Sequence, residues 1–420
     1  MAGYPAQAHA ASDVAHPTPV GLRPFRLLIL AGFASLTGDG IRVAALPLFT
    51  AVSTRSPLAV SAVATAEVLP WLLVALPAGT LVDRWQPRHV VLAAHTFRAV
   101  VVGALGVAVL THHAGVPVLI GAAFAVTAGE TFADSAYQSL LVELAGRDRL
   151  DRANSWYVSA ETLGLDLGGP LLAAALFVWS PAACFALNTV MYGVSAVCVA
   201  LLPNVAKGPA IPPPRESIET PRLRRQLVEG ARFLLRDRGL RVLVLTVVAA
   251  ALAASAANAI ISLYAIQTLA VRAALVPTLF AVQAVGTLIA APLVPRLAVR
   301  FGEGRVMVGA LTLLGMSFFV IGAIPAAGAV WAMYLVIGIG AGGWNVLSAT
   351  RRQRLTPRPL MGRVTSAYRM LAWGLMPLGA AVAGPLAKAT SLSTVFVVVG
   401  GVVVLAALVL GRPLIRTART

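Results

Sequence analysis

The sequence predicts an all-α membrane protein of twelve transmembrane helices, arranged as two pseudo-symmetric bundles of six. Three observations predict it. Of the 420 residues, 58% are hydrophobic and only 12% charged, with a mean hydropathy of +0.84. A soluble domain is about one-quarter charged, so the apolar excess must face lipid. The apolar residues fall into runs long enough to span a bilayer, which takes about 20 residues. The arginines and lysines alternate from one junction between runs to the next.

The runs lie at roughly 26–50, 57–82, 89–110, 116–141, 154–178, 181–203, 241–268, 274–298, 306–325, 328–350, 364–387 and 392–411. None shows the two-residue alternation of a strand, and their internal Gly and Pro are ordinary in membrane helices.

All but six of the 33 Lys and Arg fall in the tails or in connections that follow even-numbered runs. Arg55, Arg272 and Lys388 lie in the opposite connections, and Arg42, Arg98 and Arg369 lie within runs. By the positive-inside rule both termini are expected in the cytoplasm and the helix number is expected to be even. The same placement excludes a nucleic-acid partner despite the net charge of +17, because no continuous basic face forms. Cys184 and Cys198 share one run and stand roughly 21 Å apart along a helix, too far to bridge.

The domain organisation expected is a disordered cytoplasmic tail over 1–22, with no signal-peptide core, then a six-helix bundle over 23–203. A cytoplasmic linker over 204–240 follows, then a second bundle over 241–411 and a tail over 412–420. The linker opens as the Pro-rich KGPAIPPPRES. It continues with Leu223, Leu227, Phe233 and Leu234 among arginines, the pattern of an interfacial amphipathic helix.

The two blocks resemble each other at an offset of 211. LAGRDRLDRANSWY (144–157) then falls over LTPRPLMGRVTSAY (355–368), with identities at Leu144/Leu355, Arg147/Arg358, Arg152/Arg363, Ser155/Ser366 and Tyr157/Tyr368. Parallel six-helix repeats of this kind belong to two-lobed transporters with the site between the lobes.

The connection after the second run reads Gly79-Thr-Leu-Val-Asp83-Arg84-Trp-Gln-Pro-Arg88. It resembles the G-x-x-x-D-R-x-x-x-R loop signature of the major facilitator superfamily. A degenerate copy, Val299-Arg300-Phe-Gly-Glu-Gly-Arg305, follows the eighth run, with Pro295 where the glycine would be. The resemblance implies the major facilitator fold. It also implies that Gly79, Asp83, Arg84 and Arg88 form a conformational latch, Asp83 docking near Gly362-Arg363 of helix 11; an ordinary charged turn is the plain alternative. Gly164, Gly168, Gly169 and Pro170 in the fifth run are similar to the helix-5 motif of family antiporters. Small-residue packing accounts for them equally well. SLTGDGIRVAALPLF in the first run and LDRANSWYVSAETLG (150–164) look like the siderophore and macrolide exporter branch.

Charges inside a bilayer are costly and mark functional sites by default. They are Asp39 and Arg42 in helix 1, Glu67 in helix 2, Arg98 in helix 3, Glu130 and Asp134 in helix 4, Glu161 and Asp166 in helix 5, and Arg369 near the start of helix 11. Every intramembrane carboxylate lies in the first half; at offset 211, Glu130, Asp134, Glu161 and Asp166 meet Ala341, Asn345, Ala372 and Pro377. Asp39, Arg42, Glu130 and Asp134 are therefore the proton-coupling candidates, static helix-pinning pairs being the alternative for Asp39–Arg42. Glu67, Asn258, Trp344 and Asn345 are the substrate-cavity candidates, with a kink expected at Gly340/Gly342/Gly343 beside Trp344.

The expected function is proton-coupled export of a small amphipathic molecule from the cell membrane by a monomer, with no cofactor beyond the proton gradient. An importer and a non-transporting receptor on the same fold are alternatives. No P-loop occurs, which argues against an ATP-driven pump. No metal-ligand cluster or catalytic set is visible, so an enzyme is not expected.

Overall fold

Ser56, Ser180 and Ser391, and Asp237, each accept a backbone N–H from the turn that follows, at 3.4, 3.2, 3.1 and 2.8 Å. Pro57 and Pro181 take the first helical positions, where no N–H is needed. These signals start four of the helices in the computed structural model, which describes residues 22–74, 78, 81–82, 85–145, 150–203, 229–357 and 360–417.

The helices are α1 (Leu22–Thr54), α2 (Pro57–Leu73), α3 (Pro87–Leu110), α4 (Val116–Ala145), α5 (Leu150–Phe177, in three segments), α6 (Pro181–Ala200), α7 (Arg238–Gln267), α8 (Thr278–Phe301), α9 (Glu303–Ala323), α10 (Ala327–Leu355), α11 (Met361–Gly374 and Met376–Ala389) and α12 (Leu392–Arg416). Among the described residues, eleven of these stretches are long and apolar enough to cross a membrane, and the 17-residue α2 is a shorter apolar helix.

The repeat is visible in the backbone. α4 and α10 begin at Val116 and Ala327, α5 and α11 at Leu150 and Met361, α6 and α12 at Pro181 and Leu392, each pair 211 residues apart. The packing repeats too. The pairs α1–α6, α3–α6, α3–α4, α2–α4 and α1–α5 recur as α7–α12, α9–α12, α9–α10, α8–α10 and α7–α11.

Two expected continuous helices are interrupted at the same place in the repeat. The middle of α5, Glu161–Gly168, is a π-helix, and α11 breaks at Leu375, the counterpart of Gly164. The π-helical turn is where Gly164 and Gly169 press on α1, and such turns occur mainly where function or close packing requires them. At the α11 break, Ser255 on α7 donates to Met376 O at 2.7 Å. The kink expected in α10 does not break its helix, which is continuous over Ala327–Leu355. Its glycines instead admit neighbours: a Cβ on Gly340 would sit 2.8 Å from Ala310 O of α9, and one on Gly342 would sit 3.0 Å from Ala290 Cβ of α8.

The halves touch through α2–α11, α1–α7, α2–α7 and α5–α8. At the end carrying the α1–α2 connection, Gln267 Nε2 donates to Arg55 O at 3.0 Å and Ser61 Oγ donates to Ala380 O at 2.5 Å. Farther along α2, the rings of Trp71 and Trp373 meet edge to face at 5.9 Å. Of the expected linker helix, residues 229–236 are described and helical. Leu234 is buried there against Leu240 and Val364, and Arg363 pairs with Glu229 at 2.8 Å. Leu223 and Leu227 lie outside the described residues.

Candidate functional site

α1 presents Ser35, Asp39 and Arg42 to the middle of the first bundle, one turn apart along the helix, and all three are buried. Arg42 reaches two other helices. Its Nη1 donates to Glu67 Oε1 on α2 at 2.7 Å and its Nη2 to Glu130 Oε2 on α4 at 2.8 Å, while Asp39 on its own helix stands 3.7 Å away. The helical pair Asp39–Arg42 is thus the weaker contact of each member. Asp39 is held by Arg98 of α3 and by Tyr192 of α6, whose hydroxyl donates to Asp39 Oδ1 at 2.8 Å.

Arg98 is 1% exposed and closes the cluster. It donates to Ser35 Oγ at 3.2 Å and to Tyr192 Oη at 2.8 Å, stands 3.7 Å from Glu130 Oε2, and its guanidinium carbon lies 4.1 Å from the centre of the Tyr192 ring. Gly129 makes the room, since a Cβ there would sit 2.8 Å from Arg98 Cγ. Five helices therefore converge on three carboxylates and two guanidiniums. Fork geometry suits a guanidinium to bridge carboxylates in this way. Removing one partner from such a buried set costs about 3–5 kcal/mol.

The cluster's three carboxylates exceed its two guanidiniums by one, and a further carboxylate lies beside it. Asp134, one turn beyond Glu130 on the same face of α4, is half-buried and makes no hydrogen bond or ion pair among the described residues. The cluster can accept one proton or one cationic group without an added counter-ion, which is the chemistry such a site offers.

The proton-coupling candidates Asp39, Arg42 and Glu130 are brought together and Asp134 lies beside them. Glu67, a substrate-cavity candidate, is bound to Arg42. The remaining cavity candidates, Asn258, Trp344 and Asn345, lie apart from these charges and line a cavity of about 210 Å³ within the second half. Of the latch residues, Gly79, Asp83 and Arg84 lie outside the described residues. Arg88 donates to Val199 O at 3.2 Å and Ala200 O at 2.6 Å, satisfying carbonyls at the end of α6. In the helix-5 motif, a Cβ on Gly169 would meet Gly40 Cα at 2.5 Å and one on Gly164 would meet Thr37 Oγ1 at 2.9 Å. These glycines let α5 and α1 cross backbone to backbone. Gly168 closes the π-helical segment and Pro170 follows at the start of Gly169–Phe177.

Arg98 was visible in the sequence as a membrane charge without a partner. Ser35 and Tyr192 carried no signal, because Tyr192 stands 153 residues from the Asp39 it binds.

Known proteins share this architecture. A family model described as the Major Facilitator Superfamily matches residues 28–377. The chain is 28% identical over 397 residues to the "Multidrug efflux pump Tap" of Mycolicibacterium fortuitum, covering 89% of this chain and 91% of that one. It is also 28% identical over 406 residues to the pump of the same name from Mycobacterium tuberculosis, with 89% of each covered. Among solved structures, the nucleoside transporter NupG superposes with a TM-score of 0.74 at 14% identity, covering 93% of this chain and 98% of that one. A bacterial homologue of the iron transporter ferroportin in an inward-facing state gives 0.66 at 18% identity, covering 95% and 99%. With its repeat, its packing and its match over most of the length, the chain belongs to the major facilitator superfamily.

Proposed function

We propose that this transporter exports a small amphipathic molecule, a drug, antibiotic or siderophore-like metabolite, in exchange for protons by alternating access. The observation that carries this reading is the cluster of Asp39, Glu67 and Glu130 around Arg42 and Arg98, with Asp134 unpaired beside it. Surplus carboxylate inside a membrane bundle is a seat for an exchangeable proton. The same groups tie α1, α2, α3 and α4 together, so gaining or losing a proton changes how firmly these helices hold one another. Export is supported by the relatives named as multidrug efflux pumps.

The arginine distribution supports a multi-pass protein of the cell membrane with both termini in the cytoplasm. In that orientation the end where Gln267 meets Arg55 and Ser61 meets Ala380 faces outward. Arg88 and Arg363 then lie toward the cytoplasmic surface, where a latch would act. The transporter works as a monomer and takes its energy from the proton gradient, with no bound cofactor and no chemical change to its substrate.

Everted vesicles test this reading. A panel of cationic, neutral and anionic lipophiles is offered with and without a pH gradient. Gradient-dependent uptake into the vesicles is expected for at least one class, and loss of the gradient response is expected in Glu130→Gln and Asp134→Asn. A full gradient response in both variants removes the coupling proposal. Depletion of substrate from the vesicles reassigns the protein as an importer, and binding without flux as a receptor.

A further inference from the structure

We propose that the cavity inside the second half is a substrate subsite for one uncharged ring that carries a hydrogen-bond acceptor. The inference deepens the export reading, on which it rests, by stating what one end of the transported molecule looks like.

The cavity's position comes from the repeat. At the offset of 211 residues, Asp39, Glu130, Asp134 and Glu161 correspond to Ala250, Ala341, Asn345 and Ala372. All four counterparts line the cavity. The second half keeps the same helix packing but trims these side chains to methyls and one amide, so the space that holds charge in the first half stands open.

The lining then sets the chemistry. Among the described residues no carboxylate and no cation borders the cavity; its polar groups are Asn258, Gln283, Asn345, Tyr334 and the two indoles Trp344 and Trp373. A charged group entering it would be desolvated without a partner. Tyr334 is 1% exposed, its ring packs edge to face on Phe280 at 6.3 Å, and its hydroxyl has no hydrogen-bond partner among the described residues. A buried hydroxyl left unmade in this way is costly. A ligand acceptor such as a carbonyl or ether oxygen would satisfy it.

Size fixes the rest. An apolar cavity of about 150 Å³ holds benzene, so about 210 Å³ has room for one substituted ring or a small bicycle. Trp373 borders the cavity and also meets Trp71 of α2. On that side the cavity is therefore next to the first half, which the remainder of the molecule would face.

Three probes of one size decide the matter: 1-methyl-4-quinolone, the 1-methylquinolinium ion and 1-methylnaphthalene. Each is bound at equilibrium to the full chain in lipid nanodiscs, against empty nanodiscs, with no proton gradient. Saturable quinolone binding is expected in the unmodified protein and weaker saturable binding of 1-methylnaphthalene, with none of the quinolinium ion. Tyr334→Phe should weaken quinolone binding by about 3- to 10-fold, the worth of one hydrogen bond, and leave 1-methylnaphthalene unchanged. Ala250→Leu, which fills the cavity, should abolish both. The proposal is overturned if the quinolone does not bind, if the quinolinium ion binds more tightly, or if Ala250→Leu leaves binding intact. It is overturned equally if Tyr334→Phe folds and binds the quinolone as the unmodified protein does. Because no gradient is applied, loss of this subsite leaves the export reading standing, and vesicles without gradient-driven flux leave the subsite standing.

Discussion

Between α1, α2, α3 and α4 the first half of the chain holds three carboxylates and two guanidiniums, whereas the equivalent region of the second half is an apolar-walled cavity. The helices around the two regions pack in the same pairs. Six-helix packing of this type therefore needs no ion cluster at this place, since the equivalent region of the second half is built without one. The ions of the first half are held at the cost of desolvation, and a cost not needed for the fold points to a use.

The strongest way to break the comparison is Arg98→Ala, which takes the partner from Asp39 along with contacts to Ser35 and Tyr192. A loss of about 3–5 kcal/mol is expected, read as a lower melting temperature in detergent. The counterpart on α9, Gly309, has open space where a Cβ would go, and Gly309→Ala should change stability by less than about 1 kcal/mol. Equal losses at the two positions would show that the charges are ordinary packing elements.

The converse experiment carries the first half's chemistry into the second. Ala250→Asp places a lone carboxylate where Asp39 has its counterpart, at an expected cost of about 2.5–3.5 kcal/mol. Ala253→Arg, at the counterpart of Arg42, should restore part of it. Full tolerance of the single change would mean that the cavity is wet enough to solvate a charge.

The helix-5 glycines differ between halves as well. A Cβ on Gly169 would run into the backbone of Gly40, yet the counterpart on α11 is already Ala380. Gly169→Ala is expected to cost about 1–3 kcal/mol, as overpacking does, and to slow vesicle transport. Unchanged melting would show that α1 and α5 separate easily there.

The smallest effect is at the closed end. Ser61→Ala removes the bond to Ala380 O, worth about 1 kcal/mol, and favours the state open at that end by about fivefold. Faster labelling of Arg55→Cys by a membrane-impermeant maleimide would report it.

The helix runs, the repeat and the lopsided carboxylates were all legible in the sequence, because each is a property of local composition or of a constant offset. In the second run the described helix α2 ends at Leu73, and Ala78, Leu81 and Val82 beyond it are helical as well. The partners were not legible. Asp39 and Arg42 share a face, so spacing suggests that they pair, but each finds a shorter contact on another helix. Glu67 reads as a cavity residue by position, and only the rotation of α2 turns it onto Arg42. The π-helical turn of α5 shifts every later side chain around the axis, and no composition marked it.

By itself the sequence determined that the chain lives in a bilayer, that it is built twice, and that the intramembrane carboxylates are confined to one copy. Those facts follow from what lipid tolerates and from what side chains are present. The tertiary structure decided which acid meets which arginine, that Tyr192 and Ser35 complete the cluster, and that the trimmed positions of the second half leave a cavity. Such contacts depend on helix rotation and crossing, which are set by packing among residues far apart in the chain.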